Sequence, residues 1–104
     1  MDDKTLGLIA LEIYFFCEWH NKKFENSLSI DDIEIVIEKV MLKAADLGVK
    51  GTVHKGLIKS LVLMNMTNED AKNTYNKMSS EERVIGFLDH HDIELSEDGK
   101  IFKI

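Results

Sequence analysis

The stretch from Leu6 to Trp19, LGLIALEIYFFCEW, limits the possible folds of this chain more than any other feature. One apolar series in it recurs at helical spacing, and a second series of leucine and aromatic residues lies between its members. A helix that is apolar on nearly every side needs cover over most of its surface. We therefore expect this segment to be the central helix of the fold or, in part, a dimer face.

The same periodicity predicts about five helices. The first begins near Asp3 or Thr5 and runs toward Lys23, and another begins near Thr52. Three more are marked by a hydroxyl residue followed three positions later by an acid, a spacing in which the hydroxyl accepts an amide hydrogen bond of the first turn. These pairs are Ser29 with Asp32, Thr67 with Asp70, and Ser79 with Glu82.

Near the C-terminus the apolar pattern changes to a period of two. The dipeptide Asp98-Gly99 is typical of the two-residue type I′ turn of a hairpin, which would place Leu95 opposite Phe102. A two-stranded hairpin is marginal alone in water, so its apolar side should lie on the helices. The sequence thus predicts one α+β domain over residues 1–104, mainly helical, with about five helices around a hydrophobic N-terminal helix and a C-terminal two-stranded antiparallel hairpin.

Charge narrows the classes of function. Thirteen basic residues against nineteen acidic ones give a net charge of −6, which disfavours binding to nucleic acid and to anionic lipid. Arg83 is the single arginine, so the bidentate contacts that arginine makes with phosphate and guanine are nearly unavailable. A protein or small-molecule partner is expected instead.

The compartment is predicted from the cysteine content and from the apolar segment. Cys17 is the single cysteine, so no internal disulfide can form and no oxidising compartment is needed. The apolar segment contains Glu12 and Glu18, is shorter than a membrane span, and follows acidic residues where a signal peptide has basic ones. We expect a cytoplasmic protein without a membrane partner.

Two adjacent histidines suggest hydrolase chemistry. Asp89-His90-His91 resembles the signature of the DHH phosphoesterases, and His91-Asp92 resembles the doublet of HD-domain hydrolases. Both resemblances imply a metal-dependent hydrolase, which is the less favoured alternative, because consecutive helical residues point about 100° apart and do not chelate one ion as an i, i+4 pair does. At the end of a helix near acids, both histidines are expected to have a raised pKa.

Cys17 and His20 have the spacing of half a zinc site, but the sequence offers no second cysteine to complete it. A buried cysteine beside a histidine at the edge of the core is therefore the favoured explanation of the pair. No Ser-His-Asp spacing, P-loop or dinucleotide-binding glycine pattern is present. The sequence therefore predicts no catalytic, cofactor-binding or metal-binding residue and no enzyme.

The order helix, short helix, helix and hairpin over residues 53–104 resembles a winged helix-turn-helix, so a DNA-binding transcriptional regulator is the main alternative. Residues 79–99, however, carry seven acids against Arg83, which would repel phosphate. The leading expectation is a small acidic protein-protein interaction module, with a homodimer through the first or second helix as one option. The surface expected to meet a basic partner consists of Glu81, Glu82, Asp89, Asp92, Glu94, Glu97 and Asp98.

Overall fold

A computed structural model of the protein describes residues 3–25, 28–44 and 51–101. In order along the chain, its elements are α1 (Asp3–Phe24), α2 (Ile30–Ala44), α3 (Gly51–Met66), α4 (Glu69–Met78) and α5 (Glu81–His90). The predicted number of helices and the predicted extent of the first helix are confirmed. None of the helices in these ranges is long and apolar enough to cross a lipid bilayer.

Helix α1 lies at the centre of the structure. Its side that includes Ile13 is buried in the main core with apolar residues of α2, α3 and α5. Tyr14 and Phe15, on its other side, pack against Ala71 and Tyr75 of α4, and the Phe15 and Tyr75 ring centroids are 5.7 Å apart. Leu11 also packs against this second cluster, whereas Leu8 keeps 54% of its surface exposed, so α4 accounts for most of the second apolar series and the dimer face stays a prediction.

Helix α2 packs on α3 through one apolar face and two ion pairs. Lys55 Nζ lies 2.5 Å from a carboxylate oxygen of Glu38, and Lys59 pairs with Glu34 one turn away. These partly exposed pairs each contribute about 0–1 kcal/mol, so apolar burial supplies most of the stability of this contact. The buried face of α2 includes Ile33, Val36, Ile37 and Val40.

Ser29 caps α2 as predicted. Its hydroxyl oxygen accepts a hydrogen bond from the amide of Asp32 at 3.1 Å, and its carbonyl accepts one from the amide of Ile33 at 3.0 Å. One first-turn amide that has no partner inside the helix is thus satisfied by the side chain.

The other two predicted caps are wrong by one residue. Helix α4 is capped by Asn68, whose side chain accepts from the amide of Asp70 at 2.8 Å, and α5 is capped by Ser80. Thr67 and Ser79 instead close the preceding helices: the Thr67 hydroxyl donates to the carbonyl of Met64, and the Ser79 amide donates to a carbonyl of α4. Two adjacent polar residues divide the two tasks, one ending a helix and the next beginning another.

Helix α5 ends in a Schellman motif. The amide of Ile93 donates to the carbonyl of Leu88 at 2.9 Å, and the amide of Asp92 donates to that of Asp89 at 3.3 Å. Asp92 takes the left-handed conformation with φ of 55°, a position where glycine is the usual residue. The motif turns the chain so that Ile93 enters the core.

The predicted α+β class, with its C-terminal two-stranded hairpin, is wrong: the described ranges contain helices, turns and one isolated antiparallel bridge, between Leu95 and Ile101. A type I′ turn needs positive φ at both central residues, but only Gly99 has it, with φ of 87°. The loop therefore holds three residues instead of two, which shifts the register by one, so Leu95 faces Ile101. Its predicted partner, Phe102, lies outside the described residues.

The physical reason for this register lies in the contacts of Ser96 and Gly99. The amide of Ser96 donates to the carbonyl of Lys100, the hydroxyl of Ser96 accepts from the amide of Lys100, and both bonds are 2.9 Å long. The carbonyl of Gly99 accepts a 2.6 Å hydrogen bond from His20 Nε2 of α1, and its α-carbon lies close to the Phe24 ring. The glycine therefore serves a contact with α1.

Candidate functional site

The seven acidic residues that were predicted to form one interaction surface take part in different contacts. Glu81 pairs with Lys23 of α1 at 3.0 Å, and the carbonyl of Asp92 accepts a hydrogen bond from Lys39 Nζ at 3.1 Å. The carboxylate of Asp98 accepts from the Ser96 hydroxyl, and this bond is the main cause that lowers the pKa of Asp98. Five of the seven carboxylates are exposed and form no ion pair within the described ranges, because the contact of Asp92 is through its backbone; they are those of Glu82, Asp89, Asp92, Glu94 and Glu97.

Two of these free acids share the outward face of α5 with an apolar residue. Glu82, Ile85 and Asp89 follow one another at spacings of three and four residues, which places them on one side of a helix. All three are exposed, and Ile85 retains 48% of its accessible surface. We call these three residues the outward stripe.

On another side of α5, a groove of about 360 Å³ opens between this helix, α1 and α2. Its apolar wall is formed by Ile9 of α1, Val40 of α2 and Phe87 of α5. A volume in this range is typical of small-ligand sites, which are mostly apolar and carry a few polar groups. We call this space the α1/α2/α5 groove.

The polar groups of the groove are mostly cationic or basic. Lys43 in the last turn of α2 lines it and forms no ion pair within the described part of the chain. Arg83 pairs with Glu12, and its guanidinium carbon lies 5.4 Å from the centre of the Phe15 ring. His90 and His91 also line the groove, so one acid faces two cations and two imidazoles in a protein of net charge −6.

The pKa of His91 is lowered, contrary to the sequence-based prediction. Partial burial is the largest cause, because it disfavours the charged imidazole, and neighbouring His90 and Lys43 act in the same direction. Glu12 and Asp92 oppose the shift but do not reverse it. The rings of His90 and His91 meet edge to face, with their centroids 4.7 Å apart. The predicted effect of nearby acids is thus outweighed by burial and by positive neighbours.

Cys17 and His20 are both buried in or beside the core. Burial raises the pKa of the Cys17 thiol to about 12. His20 Nε2 must donate its proton to Gly99, because a carbonyl oxygen can only accept, and His20 Nδ1 has no partner among the described residues. His20 therefore ties the C-terminal turn to α1.

Among the described residues, no three His, Cys, Asp or Glu side chains converge in a way that would hold a metal ion. Comparison of the chain with protein-family models, with curated proteins and with solved structures found no match.

Sequence reasoning missed Ile85 and the groove. Ile85 was detectable, because it lies away from the inward face that Val84 and Phe87 define and at helical spacing from Glu82. The groove was not, since it depends on how three helices from distant parts of the chain meet. Lys43 and Arg83 are 40 positions apart and give no local pattern.

Proposed function

We propose that the protein is a non-enzymatic interaction module that binds a basic protein partner through the outward stripe of α5. The observation that carries this proposal is the half-exposed Ile85 between two exposed acids, Glu82 and Asp89. An isolated apolar side chain on a surface is common, but one bracketed by like charges fits a partner segment with an apolar residue between lysines or arginines.

The stripe supports a weak, salt-sensitive contact. Completing the burial of the exposed half of Ile85 would contribute about 1 kcal/mol, half of the value for a whole isoleucine side chain. Each rim charge pair would add about 0.2–1 kcal/mol and would be screened by salt. Glu94 and Glu97, exposed in the C-terminal segment, would add to the attraction for a basic partner.

The test uses a displayed library of random peptides selected against the immobilised protein at low salt. Peptides that bind are expected to combine lysine or arginine with apolar residues at helical spacing, because such peptides complement the stripe. Their binding should weaken about five-fold in Ile85→Ser, as about 1 kcal/mol implies, and be lost in the double variant Glu82→Lys, Asp89→Lys.

A matched control is the double variant Glu69→Lys, Glu25→Lys. Glu69 lies in the first turn of α4, as Glu82 lies in the first turn of α5, and Glu25 follows the end of α1. The change in net charge is therefore the same, and the effects on the helix dipoles are similar. If the control abolished binding as fully as the stripe variant, or if the selected peptides were acidic, the proposal would be overturned.

The proposal also includes a cytoplasmic location, which suits a protein whose one cysteine is a buried free thiol. A homodimer stays a prediction. Its expected point of contact is Leu42, the most exposed apolar residue of α2, with 75% of its surface accessible. Light scattering of the wild type and of Leu42→Ser measures whether a dimer forms and whether this residue holds it.

A further inference from the structure

We infer that the α1/α2/α5 groove binds a small amphipathic carboxylate, with the hydrocarbon body against Ile9, Val40 and Phe87 and the carboxylate at Lys43. This inference does not rest on the proposed protein contact, because the groove and the outward stripe lie on different sides of α5.

The shape of the groove sets the size of the ligand. A volume of about 360 Å³ is at the low end for small-molecule sites, so it suits a short alkyl chain or a single ring. The wall residues come from three different helices that pack on one core, so the groove exists only in the folded chain.

The charged residues of the groove determine which charge the ligand carries. Arg83 is already neutralised by Glu12, whereas Lys43 forms no ion pair within the described ranges. A carboxylate at Lys43 would also lie near His90 and His91, whose imidazoles tolerate a negative neighbour. A cationic ligand would meet Lys43 at the same place and would be repelled.

The test is a titration of isotope-labelled protein with octanoate, followed by amide and imidazole chemical shifts. Octanoate is expected to shift the signals of Lys43, Phe87, His90 and His91. It should bind about ten-fold more tightly than 1-octanol, which has the body without the charge, because only the carboxylate can form a charge-assisted hydrogen bond with the ammonium of Lys43. Acetate lacks the hydrocarbon body and octylamine lacks the negative charge, so each should bind at least ten-fold more weakly than octanoate.

Two lysine variants separate a bound carboxylate from a general effect of charge. Lys43→Gln should lose about ten-fold in octanoate affinity and leave the affinity for 1-octanol unchanged. Lys77→Gln, which removes a lysine from the last turn of α4 as Lys43→Gln does from the last turn of α2, should leave both affinities unchanged. Equal losses in the two variants would overturn the inference, and so would equal binding of octanoate and 1-octanol.

The imidazole signals give a second readout. Lys43 from α2, Glu12 from α1, and His90 and Asp92 along the chain are the charged and titratable groups that influence His91. Adding a carboxylate to this set favours the imidazolium, whereas the hydrocarbon body adds burial, which lowers the pKa of His91. The pKa of His91 should therefore be higher at saturation with octanoate than at saturation with 1-octanol, which has the body without the charge. Equal pKa values of His91 with the two ligands would show that the carboxylate does not enter the groove.

Discussion

Gly99 is the residue whose replacement tests the described fold most directly. It adopts φ of 87°, a region that favours glycine, and a β-carbon built on it would lie 2.6 Å from Phe24 Cγ and 2.9 Å or less from both Cδ atoms of that ring. Gly99→Ala therefore brings two separate costs. The backbone conformation costs about 1–2 kcal/mol for an L-residue, and the displacement of a packed ring costs about 1–3 kcal/mol.

The net destabilisation by Gly99→Ala is expected to be about 2–5 kcal/mol, the sum of these two costs. The ring cannot yield freely, because Phe24 contacts His20, with their ring centroids 4.7 Å apart, and Trp19, at 6.0 Å. Movement of the glycine would in turn weaken the buried hydrogen bond from His20 Nε2 to its carbonyl. The free energy of unfolding is measured by urea denaturation followed by circular dichroism.

Gly86→Ala is the matched control. Gly86 lies inside α5, and a β-carbon built on it would meet nothing within 4 Å. The same substitution should therefore stabilise the protein by about 0.5–1 kcal/mol, the helical advantage of alanine over glycine. The two changes are predicted to have opposite signs.

A double-mutant cycle identifies the ring as the obstacle. In the background Phe24→Ala, the steric part of the cost should disappear, so Gly99→Ala should then cost only the backbone term. Equal costs of Gly99→Ala with and without Phe24 would refute the steric argument. A neutral or stabilising effect of Gly99→Ala in the wild type would refute the described position of the turn.

Three further outcomes follow from single groups. Burial raises the pKa of Cys17 from 9.0 to about 12, so the thiolate fraction at pH 8 falls roughly a thousand-fold. The thiol should therefore react with a chromogenic disulfide at least a thousand-fold more slowly in the folded protein than in urea. Similar rates in the two states would contradict the burial. The pKa of His91 in the folded protein lies below its ordinary value of 6.5, so as the pH falls the unfolded chain binds a proton before the folded protein does. The free energy of unfolding should therefore fall as the pH drops below 6.5. Urea unfolding at several pH values should show a smaller fall for His91→Gln. Asp92→Gly should stabilise the protein by about 0.5–1 kcal/mol, as measured by thermal unfolding, because glycine adopts the left-handed position without strain and the carbonyl that Lys39 contacts is kept.

The helices were predictable because their signals are local. The apolar period of α1 and α2 and the cap at Ser29 depend on residues within a few positions of one another. The caps at Asn68 and Ser80 were misplaced because each lies beside another residue with a suitable side chain. The residue that caps the end of the previous helix cannot also cap the start of the next one, so its neighbour takes that position.

The C-terminal turn was mispredicted because a distant contact outweighed a local preference. Asp98-Gly99 has a strong local tendency toward a type I′ turn, and the sequence gives no sign that His20 and Phe24, more than 70 positions away, hold Gly99. A shift of one residue in register moves every side chain of a strand to the other face. The predicted pairing of Leu95 with Phe102 therefore followed from the choice of turn alone and had no independent support.

The two candidate surfaces on α5 show why the charge of a segment is a weak guide to what it binds. The sequence places seven acids and one arginine in residues 79–99, yet Arg83 and His90 line the groove together with Lys43 of α2, while Glu82 and Asp89 face outward. The potential at a surface is set by groups within about one Debye length, roughly 8 Å at physiological salt, and a helix with its side chains is about 10–12 Å across. Opposite sides of α5 therefore present different fields, so an anion in the groove and a basic partner on the stripe should bind with little effect on each other.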